Sequence, residues 1–269
     1  MLVQRIGSRG MVISFEEPYL TNIYLIVTDE RLFVLDTFLG SSPMNQLREV
    51  IDKEGLSGRP IVIFNSHADY DHYWGNGSLP STMIIGHIKC RERIISECSK
   101  AIERYSDHKR GDVIIGPPNI TFTNKLFFPN DGIEFFYSPG HTLDSASCYD
   151  SVDGVLFVGD NIEDPIPYLN HANFEQYVKT LRKYLEIDWK TMVTGHDKIL
   201  KSSDLIYHNL KYLSAFLNWD FDLESMEDAE FKRHLRHNLV TLKDELMRDN
   251  SSGDFIRHLN DVNQRELDL

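Results

Sequence analysis

The stretch Asn65-Ser66-His67-Ala68-Asp69-Tyr70-Asp71-His72-Tyr73-Trp74-Gly75-Asn76 places two histidines and two aspartates within six residues. It follows 61–64, an apolar run of strand length. In an extended segment, positions 67, 69 and 71 project to one side, and His72 can join them where the chain turns into a helix. Imidazole nitrogens and carboxylate oxygens bind first-row divalent ions. The stretch therefore indicates a metal site behind a strand, although a polar loop with a solvated acidic patch remains the alternative.

The hydrophobic pattern around this stretch predicts a mixed α/β chain. Strands are predicted at 11–16, 23–28, 31–35, 61–64, 133–137, 146–149, 155–158 and 191–193. Helices are predicted at 43–54, with Ser42 as N-cap and Gly55 as stop, and at 88–105 and 174–185. From about residue 203 the chain shows helical spacing only, at 204–219, 226–248 and 253–266. We therefore place a boundary near Lys201.

Three further motifs stand behind predicted strands: Ser138-Pro139-Gly140-His141-Thr142, Phe157-Val158-Gly159-Asp160 and Thr194-Gly195-His196. Together with the first stretch, and in the same order, they resemble the metallo-β-lactamase superfamily, whose signature is H-x-H-x-D-H after a buried strand. The resemblance covers residues 1 to about 200. It implies a four-layer αβ/βα sandwich over 1–200. The helical spacing that follows predicts a helical C-terminal extension over 201–269.

The resemblance also implies a dinuclear metal site. One metal would be held by His67, Asp69 and His141, and the second by Asp71, His72 and His196, with Asp160 bridging the two. Asp71 is in addition the residue to which we assign a catalytic role. A pair of cations can lower the pKa of a shared water and polarise a substrate oxygen. The implied activity is hydrolysis of an ester, thioester, lactone or related bond, with a glyoxalase II-like thioesterase as the specific version, because those enzymes also add a helical C-terminal segment.

Asp69 departs from the family pattern, which has a second His at this position. Four His and three Asp leave a net charge of +1 after two divalent cations bind, whereas the usual set leaves +2. The harder, more anionic site shifts the metal preference from zinc towards iron or manganese, although zinc stays in play. The flavodiiron branch also has a carboxylate here, so a di-iron redox or oxygen-handling protein is an alternative. The other interpretation of Asp69 is a solvated carboxylate that binds no metal.

Composition restricts the partners. The chain has 28 Lys and Arg against 41 Asp and Glu, a formal charge of −13, which disfavours nucleic acid. The three cysteines are too few for a disulfide framework and are expected to be reduced. No signal peptide or long apolar segment is evident, so we expect a cytoplasmic protein without membrane contact, acting on a small molecule. The oligomeric state, a homo-oligomer included, and a third alternative, a non-catalytic sensor or scaffold, stay open.

Four residues outside the ligand set receive smaller predictions. Asp36 ends the strand predicted at 31–35, where it could hydrogen-bond a ligand His or serve as a turn or capping residue. Tyr70, Tyr73 and Trp74 flank the ligands and are interpreted as core residues rather than pocket residues. The remaining histidines lack motif context and are expected to be surface or packing residues.

Overall fold

The computed structural model describes residues 1–218 and 229–248. The chain forms two compact units. The first contains Met1–Ser138, Asp144–Gly159 and Asp188–Lys201. The second contains Pro139–Leu143, Asp160–Ile187 and the described residues from Ser202 onward. The named strands of the described chain all belong to the first unit.

The first sheet has seven strands, which lie side by side in chain order. They are β1 (Leu2–Ile6), β2 (Gly10–Phe15), β3 (Thr21–Val27), β4 (Leu32–Leu35), β5 (Ile61–Asn65), β6 (Ser81–His87) and β7 (Ile120–Phe122). β1 to β4 form an antiparallel meander, and β4 to β7 pair in parallel. The parallel pairing of β4 with β5 matters for the site, because it brings the carboxyl ends of both strands to one edge.

The second sheet has five strands: β8 (Lys125–Phe128), β9 (Ile133–Tyr137), β10 (Ala146–Asp150), β11 (Val155–Gly159) and β12 (Thr191–Thr194). Their spatial order is β12-β11-β10-β9-β8. β11 and β12 are parallel and the other pairs are antiparallel. The carboxyl ends of β11 and β12 therefore meet at one edge, where Gly195 N donates to Gly159 O at 2.8 Å.

Two apolar clusters hold the first unit together. One combines residues from both sheets, including Phe33 and Phe64 from the first and Phe135 and Phe157 from the second, so the sheets pack face to face. The other covers the opposite face of the first sheet with α1 (Ser41–Lys53) and α3 (Ile88–Arg104), through residues such as Leu47 and Ile94. A single-turn helix, α2 (Tyr70–Tyr73), follows β5. Two sheets that pack face to face, with helices on the outer face of the first, confirm the mixed α/β class predicted from the sequence.

The second unit is helical. It contains α4 (Phe174–Glu186), α5 (Asp204–Asn218) and α6 (Ala229–Arg248). Side-chain amides tie these helices to the segment before α4: Asn209 Nδ2 donates to Glu163 O at 2.9 Å and Asn238 Nδ2 donates to Pro167 O at 2.9 Å. The helices predicted at 204–219 and 226–248 are confirmed over their described parts, and the one predicted at 253–266 lies outside the described residues. The division at about residue 200 stays a prediction.

The structure differs from the sequence prediction at several local elements. β1, β6, β7 and β8 were not predicted, and most of β1 is exposed, so it lacks the alternation of apolar and polar residues that marks a half-buried strand. Helix α1 begins at Ser41 after Gly40, without a side-chain cap, so the prediction of Ser42 as N-cap is wrong. Among the described residues, the helices are too short or too polar to cross a membrane.

Candidate metal centre

The site begins where β4 and β5 end together. Asp36 follows β4 and is buried, in a left-handed backbone conformation with φ of 61°. Its Oδ1 accepts a hydrogen bond from Ser66 N at 2.7 Å, and its Oδ2 accepts from Ser66 Oγ at 2.7 Å and from His72 Nδ1 at 2.8 Å. Asp36 therefore makes the predicted hydrogen bond to a candidate ligand histidine, His72. The carboxylate thereby fixes the ring of His72 and the start of the ligand-bearing stretch.

Asp71, His72 and His196 form a compact donor group. One ligand atom from each lies within 4.8 Å of the others. The His72 and His196 Nε2 atoms are 3.3 Å apart, and the Asp71 carboxylate approaches them at 3.8 and 3.5 Å. His196 comes from the end of β12, and its Nδ1 hydrogen-bonds Leu20 O at 2.8 Å. Residues 124 positions apart in sequence, His72 and His196, are thus brought into one cluster.

Hydrogen bonds set the protonation of these rings. His72 Nδ1 donates to a carboxylate and His196 Nδ1 to a carbonyl, so each neutral ring carries its lone pair on Nε2. Two lone pairs and a carboxylate that face one another repel unless a cation lies among them. The donor set therefore fits a divalent metal ion, for which nitrogen and oxygen ligands are suited.

His67 is held in a similar way, but it is linked to Asp36 through the Ser66 hydroxyl. Ser66 Oγ donates to Asp36, so it accepts from His67 Nδ1 at 2.9 Å, which leaves the lone pair of His67 on Nε2. That nitrogen lies 3.5 Å from Asp69 Oδ2. The His67 and His72 ring centroids are 4.1 Å apart. The five predicted ligands of the first unit therefore occupy one region.

Asp69 has a partner that the sequence analysis missed. Its Oδ1 accepts from Arg93 Nη2 at 2.5 Å, and Arg93 also donates to Asp144 Oδ1 at 3.0 Å. Burial alone would lower the pKa of Arg93, but the surrounding carboxylates, Asp69 first, raise it above its usual range. Arg93 is one of several basic residues on α3, and only the unusual carboxylate at position 69 signals that a counter-charge is needed.

The last two predicted ligands belong to the second unit. His141 Nε2 lies 3.9 Å from Asp160 Oδ2. His141 N donates to Asn161 Oδ1 at 2.8 Å, and its Nδ1 hydrogen-bonds Tyr168 O at 3.0 Å, so Nε2 again carries the lone pair. Asn170 Nδ2 lies 3.0 Å from that nitrogen. A Cβ at Gly140 would come within 2.4 Å of Asn161 Oδ1, which explains the glycine of the second motif.

Aromatic residues of the first unit border Asp71 and His196. The Tyr19 ring centroid lies 5.6 Å from that of His196, and Tyr19 Oη hydrogen-bonds Tyr70 Oη at 2.9 Å. Tyr70 Oη in turn lies 2.8 Å from His108 Nδ1. Burial, followed by the charge of Asp71, raises the pKa of Tyr19 well above its usual range, so the phenol stays neutral. Tyr73 and Trp74 are core residues, as predicted. Tyr70 is half-buried, and its hydroxyl hydrogen-bonds Tyr19 and His108.

Comparison with known proteins identifies the family. The model of the metallo-beta-lactamase superfamily matches residues 17–196, more than half of the chain. A metallo-beta-lactamase from Pontibacter korlensis is similar in structure, with a TM-score of 0.64 and 18% identity over 79% of this chain and 98% of that one. DIM-1 metallo-beta-lactamase is similar with a TM-score of 0.60 and 16% identity over 80% and 97% of the two chains. No curated protein gave a significant match.

The chain therefore belongs to the metallo-beta-lactamase superfamily, and it has that superfamily's mixed α/β fold. At this level of identity the solved structures establish the fold alone. Membership of the superfamily, together with the His and Asp groups described above, supports a metal-dependent hydrolase in general terms.

Proposed function

We propose that the chain is a metal-dependent hydrolase that binds two divalent cations and cleaves an ester, thioester, lactone or related bond of a small molecule. The observation that carries the proposal is shared by the four histidines. In each, Nδ1 is hydrogen-bonded to an oxygen, which leaves the lone pair on Nε2. The pairs are His67 with Ser66, His72 with Asp36, His196 with Leu20 and His141 with Tyr168. Metal-binding histidines characteristically donate their second nitrogen in this way.

The proposed ligand set is the one that the family resemblance implies: His67, Asp69, Asp71, His72, His141, Asp160 and His196. When bound, two cations would acidify a water and polarise the scissile carbonyl. Asp71, whose carboxylate lies among the His72 and His196 nitrogens, would hold the attacking water in line and accept its proton. The Tyr19 ring, whose hydroxyl donates to Tyr70 Oη, lies beside His196 and would line the substrate side of this cluster.

A thioester is the specific substrate class that we propose, after the glyoxalase II-like pattern of a metal domain followed by helices. Support comes from α5 and α6, which follow the metal-motif region of the chain as the helical segment does in that pattern. The formal charge of −13 favours a small substrate over a polyanion.

Metal content and a substrate panel test this proposal together. Protein purified without added metal should contain close to two transition-metal ions per chain, and a chelator should abolish hydrolysis of at least one of a thioester, a lactone and a carboxylic ester. His72→Ala should lower metal content and activity, whereas His208→Ala, an exposed histidine on α5, should change neither. A chain that binds no metal, or a metal-loaded chain that hydrolyses nothing in the panel, would contradict the proposal.

A di-iron redox protein is the second candidate, favoured by the carboxylate at position 69. Predominantly iron in the purified protein, together with oxygen or peroxide consumption and no hydrolysis, is the result that this candidate requires. Zinc or manganese with hydrolysis would rule it out.

A further inference from the structure

The two oxygens of Asp69 have different neighbours. Arg93 donates to Oδ1, while Oδ2 faces His67 Nε2 at 3.5 Å. A carboxylate can present one or both oxygens to a metal, and the choice changes the coordination number. The guanidinium at Oδ1 leaves Oδ2 as the oxygen on the side of His67.

Arg93 is itself fixed from the other side. Asp144 Oδ1 accepts from Arg93 Nη1 at 3.0 Å, and Asp144 Oδ2 accepts from Ala68 N at 2.8 Å. Ala68 stands between His67 and Asp69, so the same pair of residues holds both the side chain and the backbone of the ligand-bearing stretch. Asp144 is buried, which favours this fully hydrogen-bonded arrangement over solvation.

The charges of this cluster are unequal. Arg93 contributes one positive charge and is shared by Asp69, Asp144 and the more exposed Glu97, so the cluster keeps a net negative charge. Arg93 therefore leaves the position attractive to a cation while it controls the direction of the carboxylate. The guanidinium donates to Asp144 through Nη1 and to Asp69 through Nη2. A lysine could not replace it, because an ammonium group has one nitrogen and lacks this planar fork of donors.

We propose that Arg93, braced by Asp144, is a positioning residue that makes Asp69 a single-oxygen metal ligand in the place where the superfamily pattern has a neutral histidine. The proposal rests on the proposed function, since it assumes that His67 and Asp69 share a metal ion. It accounts for how a carboxylate is accommodated at position 69: the arginine on α3 and the aspartate before β10 specify its orientation.

The test is a double-mutant cycle between positions 93 and 69, read by metal binding. Arg93→Lys keeps the charge and removes the fork, so it isolates orientation from charge. Cobalt(II) affinity is measured by competition with a chromophoric chelator, and the visible Co(II) spectrum reports the coordination number. We expect Arg93→Lys to lower the Co(II) affinity of the position shared by His67 and Asp69 by about tenfold or more. The Co(II) spectrum of that position should change as well. In an Asp69→His background, the same Arg93→Lys change should alter affinity by less than about threefold, because the carboxylate that it orients is gone.

Controls separate orientation from general damage. Arg91→Lys is the matched variant, since Arg91 lies on the same helix and its guanidinium donates to Pro118 O. It should bind Co(II) as the wild type does. Asp144→Asn weakens the carboxylate that holds both Arg93 and Ala68 N while leaving Asp69 and Arg93 in place, and we expect a smaller loss in the same direction. Urea unfolding of every variant confirms that the fold is retained.

Two results would overturn the inference. One is unchanged affinity and spectrum in both Arg93→Lys and Asp144→Asn. The other is an equal loss from Arg93→Lys whether position 69 carries the native aspartate or the Asp69→His substitution. Wild-type protein that binds no Co(II) would instead contradict the proposed function itself.

Discussion

Asp36 is the residue on which the orientation of two histidines depends. Its carboxylate accepts from His72 Nδ1 directly, and it reaches His67 through the Ser66 hydroxyl. Its φ of 61° is unusual for a residue with a side chain, and Asp and Asn tolerate this conformation better than most. One buried side chain thereby combines a turn after β4 with hydrogen bonds that orient two candidate ligands.

We predict that Asp36→Asn weakens metal binding by roughly 10–100-fold, because an amide offers one acceptor oxygen where the carboxylate serves three donors. Stability should fall by about 1–3 kcal/mol from the unsatisfied donors. Chelator competition and urea unfolding measure the two effects. Asp150→Asn is the control, since Asp150 is equally buried but pairs with Arg9. It should lose stability and keep its metal affinity, and an affinity loss equal to that of Asp36→Asn would contradict the assignment.

At the scale of elements, the end of β11 packs directly against Ser66, at the start of the stretch that carries the candidate ligands. Gly159 has φ of +55°, and a Cβ there would lie 2.7 Å from Ser66 Oγ and 2.8 Å from Ser66 Cβ. Ser66 is the link between Asp36 and His67. The glycine of the Gly-Asp motif is therefore required both by its left-handed backbone and by the space that Ser66 occupies.

Gly159→Ala and Gly55→Ala separate these two requirements. Gly55 also has a positive φ, of +70°, but a Cβ there meets nothing within 4 Å. We expect Gly55→Ala to cost about 1–2 kcal/mol of unfolding free energy, and Gly159→Ala to cost more and also to weaken metal binding by displacing Ser66. Urea denaturation and metal titration check both. Equal costs with intact metal affinity would show that the contact with Ser66 is unimportant.

For the molecule as a whole, burial controls the reactivity of the three free cysteines. Burial raises the pKa of the Cys90 and Cys148 thiols well above the usual value, since a thiolate is poorly solvated inside the protein. A raised pKa lowers the thiolate fraction at any given pH, and the thiolate is the reactive form. Cys98 is only half-buried.

At pH 8 a disulfide reagent should therefore modify Cys98 in the folded protein and reach Cys90 and Cys148 only after unfolding. Absorbance of the released thiol follows the reaction with and without urea. Cys98→Ser should remove the reaction of the folded protein and leave two thiols in urea. Simultaneous reaction of all three in the folded chain would show that the core around Cys90 and Cys148 opens readily.

The sequence by itself determined the candidate ligands and the fold family. His67, Asp69, Asp71 and His72 are neighbours in the chain, and His141, Asp160 and His196 each follow a predicted strand. These short motifs carried the resemblance to the family, and the resemblance implied the ligand set. The long apolar strands and the helices α1, α3 and α4 were predicted as well, because their periodicity is local.

Only the tertiary structure decided which residues support those ligands. Arg93 lies 24 positions from Asp69, and nothing in its local sequence separates it from Arg91 on the same helix. The Leu20 carbonyl meets His196 across 176 positions. The pairings of β6, β7 and β8 were likewise hidden from the sequence. Hydrogen bonds between distant segments depend on strand register and helix placement, and these are set by packing of the whole core rather than by any local pattern.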